Sequence, residues 1–231
     1  MNEEFADSLT LALSYYVALS PAAGFQGRCA MSIPADIEGK RVLDVCCRKG
    51  KGAFALADAV GPLGLVVGVD PDADNVATAC ATAPGNHWAG ASWERHLRFS
   101  LAIPENLSQA RINDASFDLV YINSVLNLAW SLSAALAEFA RVLAPGGRLW
   151  VAQGVFAEDG SDAQGGIVGE SGAIDVFSQA RSCATFERMC LEAGFSSVSF
   201  SSISPLASED PCEGECPGGA RFYLADACAT I

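Results

Sequence analysis

The segment from Arg41 to Gly52 constrains the fold of this chain more than any other. It consists of Arg-Val-Leu-Asp-Val-Cys-Cys-Arg-Lys-Gly-Lys-Gly. Its first five residues are typical of a buried strand, and residues 53–60 are typical of a helix that follows a glycine-containing turn. Parallel α/β sheets present small ligands at such junctions, at the carboxyl end of a strand. The segment therefore predicts a parallel sheet with a ligand site after its first strand.

The turn after Asp44 departs from the usual composition of a ligand loop. Such loops carry small residues at every second position after the acid, and here Cys46, Arg48 and Gly50 occupy those positions. Glycine allows positive φ and close approach of the backbone to a ligand, and arginine resists both. Cysteine is nearly as small as serine. The sequence therefore predicts a recognisable but altered loop, in which Arg48 decides how well a ligand binds.

Strands and helices alternate along the rest of the chain. An N-terminal helix is predicted at 4–19, followed by a Pro- and Gly-rich loop at 20–37, and a mobile loop is predicted at 157–173. Repeated βα units with two closing strands predict an α/β fold: one mostly parallel sheet with helices on both faces and no second domain. The predicted strands are 41–45, 65–69, 97–102, 117–122, 148–153, 197–202 and 220–226, and the further helices are 53–60, 73–83, 131–143 and 181–193.

Charge and composition narrow the class of partner. The chain has 231 residues and a formal net charge of −13, which argues against nucleic acid because phosphate binding requires clustered Lys and Arg. No apolar run reaches the ~18 residues of a membrane span, and the acidic N-terminus does not resemble a signal peptide. The nine cysteines, an odd number, indicate reduced thiols. We therefore expect a soluble, cytoplasmic protein with a small-molecule substrate, no nucleic-acid or membrane partner, and homodimerisation as an open alternative.

Four motifs in order carry a family resemblance. They are Leu-Asp-Val at 43–45, Gly-Val-Asp at 68–70, Phe-Asp-Leu-Val at 117–120 and Arg-Val-Leu-Ala-Pro-Gly-Gly-Arg-Leu at 141–149. Together they resemble the class I S-adenosylmethionine (SAM) dependent methyltransferases over roughly residues 35–155. The resemblance implies one Rossmann-like domain at 38–231 with a seven-stranded, mostly parallel sheet, preceded by a helix and lid segment at 1–37. It also implies SAM as the cofactor.

The resemblance assigns roles to two acids. Asp44, at the end of the first strand, is expected to bind the ammonium group of SAM. Asp70, 26 residues further on, is expected to accept both ribose hydroxyls, at a spacing near that of nucleotide-binding folds. The alternative for Asp70 is a turn acid before Pro71.

A third strand end is expected to hold the adenine. Ile103-Pro104-Glu105-Asn106-Leu107 resembles the Asp-Ala-Glu-Asn-Leu segment of the family, with Ile103 in place of the acid. The backbone of Ala102 and Ile103 is expected to serve instead, with the Ile103 side chain on the ring, and an ordinary loop is the alternative. Asn123 is expected in the wall near the sulfonium. The predicted cofactor-binding residues are Asp44, Cys46, Gly50, Asp70, Pro71, Ala102, Ile103 and Asn123; no catalytic residue or metal ligand is predicted.

A closer resemblance concerns the arsenite methyltransferases. In that family, three stretches matching 27–34, 123–128 and 169–173 each carry a thiol, and soft thiolates bind trivalent arsenic. Only Cys29 matches here, because Ser124 and Ser171 replace the other two. One thiol cannot form a three-thiolate site, so we expect another acceptor. Cys212 and Cys216 could form a two-thiol site with Cys29, although ordinary loop thiols are the favoured interpretation.

The sequence therefore predicts a SAM-dependent methyltransferase acting on an unidentified small acceptor. Two alternatives stay open: a catalytically impaired binding protein with the methyltransferase fold, and a thiol-based metalloid binder. Residues 4–37 and the loop at 157–173 are expected to cover the pocket. His87 and His96 receive no catalytic role, since many methyl transfers depend on positioning more than on a strong base.

Overall fold

The computed structural model describes residues 3–19, 31–83, 96–158, 176–177, 179–206 and 222–231. Within these ranges, seven strands form a single sheet with helices packed against it. In chain order the elements are α1 (Glu3–Ala18), β1 (Arg41–Val45), α2 (Lys51–Val60), β2 (Leu65–Asp70), α3 (Ala73–Thr82), β3 (Leu97–Leu101), β4 (Phe117–Asn123), α4 (Leu132–Val142), β5 (Leu143–Ala157), α5 (Cys183–Glu192), β6 (Ser197–Pro205) and β7 (Phe222–Thr230).

The strand order is β3-β2-β1-β4-β5-β7-β6. The first five strands run parallel, and β7 lies antiparallel between β5 and β6. The chain moves outward in one direction from β1 to β3 and in the other from β4 to β5. A crevice therefore opens where the direction reverses, at the carboxyl ends of β1 and β4, which is where ligands bind in open α/β sheets. The predicted fold class is confirmed.

Alternate residues of the central strands supply two apolar layers. On β4, Leu119 and Tyr121 join the layer that includes Leu56 of α2, whereas Val120 and Ile122 join the layer that includes Phe139 of α4. This alternation follows from the period of two in a strand. Both faces of the strand are buried, as expected for a parallel sheet covered on both sides.

The closing strands are longer than predicted. Residues 148–157 of β5 pair antiparallel with residues 222–230 of β7, although polar residues such as Gln153 and Asp226 interrupt both apolar patterns. The register of the pairing between β5 and β7 shifts between Val151 and Gly154. At this point Gln153 adopts a φ of 50°, and its N–H donates to the Asp226 carboxylate at 2.9 Å. The ends of these strands are therefore determined by pairing between distant segments of the chain and not by the local apolar pattern. None of the described helices is long and apolar enough to cross a membrane.

Candidate functional site

Two cavities lie at the carboxyl ends of the parallel strands, one on each side of the loop after β1. The first has a volume of about 410 Å³ and reaches the end of β2. The second has a volume of about 320 Å³ and reaches the ends of β1 and β4. Cys46, Arg48, Lys49 and Val125 line both cavities, so the loop forms part of a shared wall.

The loop adopts the backbone of a glycine-rich turn with larger residues in it. Cys46, Arg48 and Gly50 have φ angles of 58°, 49° and 85°. The first two lie in the left-handed region, which costs a residue with a Cβ about 1 kcal/mol. Gly50 lines neither cavity. Its Cα instead faces the ring of Phe99, since a Cβ at this position would lie 3.0 Å from that ring. Gly50 therefore allows the turn to pack closely against Phe99 on the side away from the cavities.

None of the described residues donates a hydrogen bond to Oδ2 of the Asp44 side chain. Its side chain lines the second cavity, the residue is only 4% exposed, and Oδ2 is buried and unpaired. Burial and the neighbouring Asp70 raise the pKa of Asp44 to about 8. A buried acceptor without a partner is costly, and a cationic donor relieves that cost. Asp44 is therefore suited to bind an ammonium group.

Asp70 already accepts three hydrogen bonds from the protein. Its Oδ2 accepts the Arg48 N–H at 2.7 Å, and its Oδ1 accepts the Asp72 N–H and the Asn75 side-chain amide, each at 3.1 Å. Burial raises its pKa, and these hydrogen bonds oppose the rise. A carboxylate has about four acceptor positions, so one remains on Oδ2. Asp70 therefore acts as a turn acid and still faces the first cavity, where Pro71 also lies.

The residues predicted to hold the adenine lie buried at the end of β3. Ala102 and Ile103 are almost fully buried and line neither cavity. The Ile103 N–H donates to the Gln109 side chain at 3.3 Å, and the Ile103 carbonyl accepts the Asn106 N–H at 3.1 Å. An apolar wall that was not predicted faces the first cavity instead, made of Pro104, Ile122, Val125, Leu126, Leu128, Ala129 and Phe139.

Helix α1 covers one side of the first cavity. Tyr16 lines it, donates its hydroxyl to the Glu105 carboxylate at 3.0 Å and accepts the Trp130 N–H at 3.2 Å. Glu105 also accepts the Ser131 N–H at 3.0 Å. Burial raises the pKa of both Tyr16 and Glu105. No local sequence pattern predicts this contact, since 89 residues separate its two side chains.

The second cavity continues to the end of β4. Asn123 and Ser124 line it, and the Ser124 hydroxyl donates to the Asn123 side-chain carbonyl at 2.9 Å. Ser124 is buried with a φ of 60°. Among the described residues, no group of three or more His, Cys, Asp or Glu side chains could hold a metal ion. Several predicted positions lie outside the described residues, namely Cys29, His87, Ser171, Cys212, Cys216 and most of the loop at 157–173.

Sequence comparison relates the chain to known methyltransferases. Residues 43–151 match the methyltransferase domain family. The chain is 30% identical over 203 residues to an arsenite methyltransferase of Aquipseudomonas alcaligenes, covering 85% of this chain and 56% of that protein. It is 38% identical over 110 residues to a demethylmenaquinone methyltransferase of Geobacillus kaustophilus, covering 48% of this chain and 43% of that one. The chain thus spans about half the length of these curated relatives.

Structural comparison agrees with the sequence comparison. The crystal structure of an arsenic(III) S-adenosylmethionine methyltransferase from Chlamydomonas reinhardtii superposes with a TM-score of 0.71 and 27% identity, covering 96% of this chain and 72% of that one. A SAM-dependent methyltransferase from Aquifex aeolicus superposes with a TM-score of 0.53 at 16% identity, covering 84% of this chain and 83% of that one, and shows the shared fold alone.

Proposed function

Because this chain belongs to the class I SAM-dependent methyltransferases and resembles their arsenite branch, we propose that it binds SAM and transfers the methyl group to a small-molecule acceptor. The observation that carries the proposal is the buried, unpaired Oδ2 of Asp44 in the second cavity. An ammonium group fits this position, since it supplies both the missing donor and the opposite charge.

The described residues fit the rest of the cofactor as well. The two cavities flank one loop, and the apolar wall of the first cavity suits a purine ring. The remaining acceptor position of Asp70 suits one ribose hydroxyl. Cys46 lies between the two cavities, and burial keeps its pKa well above the usual range, so it is a neutral thiol. In this arrangement Asp44 binds the amino-acid end of the cofactor, Asp70 binds the ribose, and the apolar wall of the first cavity binds the adenine at the other end.

When bound, SAM supplies an electrophilic methyl group. The part left to the protein is to hold an acceptor in line with that group and to keep water away. Asn123 and Ser124 lie beside Asp44 in the second cavity and offer an amide and a hydroxyl for orienting an acceptor. Met31, Tyr121 and Val125 also line this cavity and offer largely apolar surface to an acceptor.

The acceptor differs from trivalent arsenic in this proposal. Arsenic prefers soft thiolate ligands, and Ser124 places a hard hydroxyl oxygen in the second cavity. Cys46 and Cys47 are nearby, but burial raises the pKa of both thiols and therefore disfavours thiolates. The relatives named for arsenite and demethylmenaquinone act on very different acceptors, so family membership alone leaves the acceptor open.

A titration with S-adenosylhomocysteine (SAH) tests cofactor binding. At pH 7 the Asp44 carboxyl is mostly protonated, because its pKa is about 8. Binding of the ammonium group should therefore release about one proton per SAH, which calorimetry in buffers of different ionisation enthalpy measures. Asp44→Asn should weaken SAH binding and abolish the proton release. Asp226→Asn is the matched control, since Asp226 is an equally buried carboxylate that holds the β5 irregularity.

Absence of heat at millimolar SAH, with a folded protein, would refute the proposal. Equal SAH affinity in the wild type and Asp44→Asn would refute the role of Asp44. Transfer is tested separately with methyl-labelled SAM and a panel of small acceptors. Tight SAH binding without transfer to any acceptor would favour the binding-protein alternative, in which Cys46 and Arg48 have reshaped the loop for retention of a ligand.

A further inference from the structure

The second cavity is rimmed by positive charge. Arg48, Lys49 and Lys51 all line it, and all three are exposed. The chain has three lysines in a total of 14 basic residues, and two of the three line this cavity. Such a cluster of basic side chains is unexpected in a protein with a net charge of −13, and it suggests a functional role.

These cations have no ion-pair partner among the residues that the structure describes, whereas Arg41, Arg141, Arg148 and Arg188 all do. Among the described residues that line the second cavity, Asp44 is the only acid, and the proposed function assigns it to the ammonium group. With cofactor bound, the cavity therefore keeps a positive rim.

The first cavity has the opposite balance. It shares Arg48 and Lys49 with the second, but Asp70, Asp72 and Asp74 line it as well. Among the described lining residues, basic side chains therefore outnumber acidic ones only in the second cavity, which also contains Asn123 and Ser124. A cleft lined by one sign of charge concentrates ligands of the opposite sign.

We propose that the methyl acceptor of this protein is a small anion, carrying a carboxylate or a phosphate that Lys49 and Lys51 bind at the mouth of the second cavity. The inference rests on the methyltransferase function proposed above. The anionic group lies at the rim, and the uncharged part of the acceptor enters the cavity between Met31 and Val125. The Ser124 hydroxyl and the Asn123 amide then contact the part of the acceptor that receives the methyl group.

The anion also explains why cations are tolerated in this loop. Arg48 and its neighbouring lysines repel a sulfonium, and an acceptor with negative charge offsets that repulsion only when it is bound together with the cofactor. We therefore expect SAM and the acceptor each to increase the affinity of the protein for the other. The coupling should be weaker for SAH, whose thioether is uncharged.

The test compares matched anionic and neutral probes on SAH-loaded protein. The pairs are 4-hydroxybenzoate with 4-hydroxybenzamide and phenyl phosphate with phenol, titrated at about 50 mM and about 500 mM NaCl. We expect at least one anion to bind about fivefold more tightly than its neutral partner at low salt, with the ratio falling at high salt. Lys49→Gln with Lys51→Gln should remove the preference. Lys40→Gln is the matched control, since the third lysine is exposed and lines neither cavity.

A second arm separates an anionic acceptor from the carboxylate of the cofactor itself. The lysine double variant should bind SAH within about twofold of the wild type. A tenfold loss for SAH, with unchanged binding of 5′-methylthioadenosine, would assign the lysines to the cofactor and overturn the inference. Absence of any preference for an anion over its neutral partner would also overturn it. Failure of the wild type to bind SAH would instead refute the proposed function.

Discussion

Replacement of Arg48 by glycine tests both the strain and the charge in the loop. Arg48 has a φ of 49°, its side chain is exposed, and its N–H donates to Asp70, an interaction that glycine retains. Glycine relieves about 1–2 kcal/mol of left-handed strain, but it adds roughly 0.5–1 kcal/mol of unfolded-state entropy. We therefore expect the free energy of unfolding to rise by about 0.5–1 kcal/mol, measured by urea denaturation.

The same variant should bind SAM more tightly. Two unit charges 4 Å apart repel by about 1 kcal/mol in water and about 4 kcal/mol at an effective dielectric constant of 20. Because the Arg48 side chain is exposed, the lower value applies, and about 1 kcal/mol corresponds to roughly a fivefold gain in affinity. SAH lacks the sulfonium charge, so its affinity should change less. The ratio of SAM affinity to SAH affinity, measured by calorimetry, is therefore the decisive quantity.

Two companion variants separate strain from charge. Arg48→Ala removes the guanidinium and keeps a Cβ at positive φ, so it should raise the SAM to SAH ratio without raising stability. Lys40→Ala removes an exposed cation that lines neither cavity and lies outside the set of positive-φ residues, and it is the control for a general charge effect. An unchanged affinity ratio in Arg48→Gly would show that the side chain lies too far from the sulfonium, and an unchanged stability would show that the strain argument fails.

Three further perturbations follow from the site. The raised pKa of Asp44 means that the folded state binds more protons than the unfolded state between about pH 4 and 8. Asp44 should therefore make the unfolding free energy fall with rising pH by at most about 1.4 kcal/mol per unit, and Asp44→Asn should reduce this slope; an unchanged slope in the variant would contradict the prediction. Gly50→Ala should cost at least about 1 kcal/mol in urea denaturation, because φ is 85° and a Cβ would crowd a ring; wild-type stability would disprove the crowding. Asn127→Ala should cost about 1–3 kcal/mol, because its buried amide donates to the carbonyls of Val155 and Val176, and an unchanged melting temperature would exclude that role.

The sequence predicts the frame of the site because local patterns determine it. The apolar run before Asp44, the turn with Gly50 and the run before Asp70 each have a signature within a few residues. Parallel pairing then places both acids at one edge of the sheet, since the carboxyl ends of neighbouring parallel strands meet there. The mostly parallel sheet and the position of the two acids at its edge could therefore be anticipated.

The walls of the site could not be predicted in the same way. Ile103 was expected on the adenine ring, yet it is fully buried, because its backbone is engaged by Gln109 and Asn106. Which side of a strand end faces a cavity depends on such short loop contacts. The contact between Tyr16 and Glu105 depends on the docking of a distant helix, for which neither segment carries a local pattern.

The cover that α1 places over the first cavity has a consequence for the rate of turnover. Tyr16 bridges Glu105 and the backbone of Trp130, and the Tyr15 hydroxyl donates to the Leu128 carbonyl at 3.0 Å, so tyrosine hydrogen bonds fasten the helix beside the first cavity. In the proposed methyltransferase, release of spent cofactor past this helix would require these bonds to break. The lifetime of the closed state then sets an upper limit on the number of catalytic cycles per second, whatever the speed of methyl transfer itself. In such an enzyme, a mutation at Tyr16 would change the residence time of SAH without touching the reacting atoms.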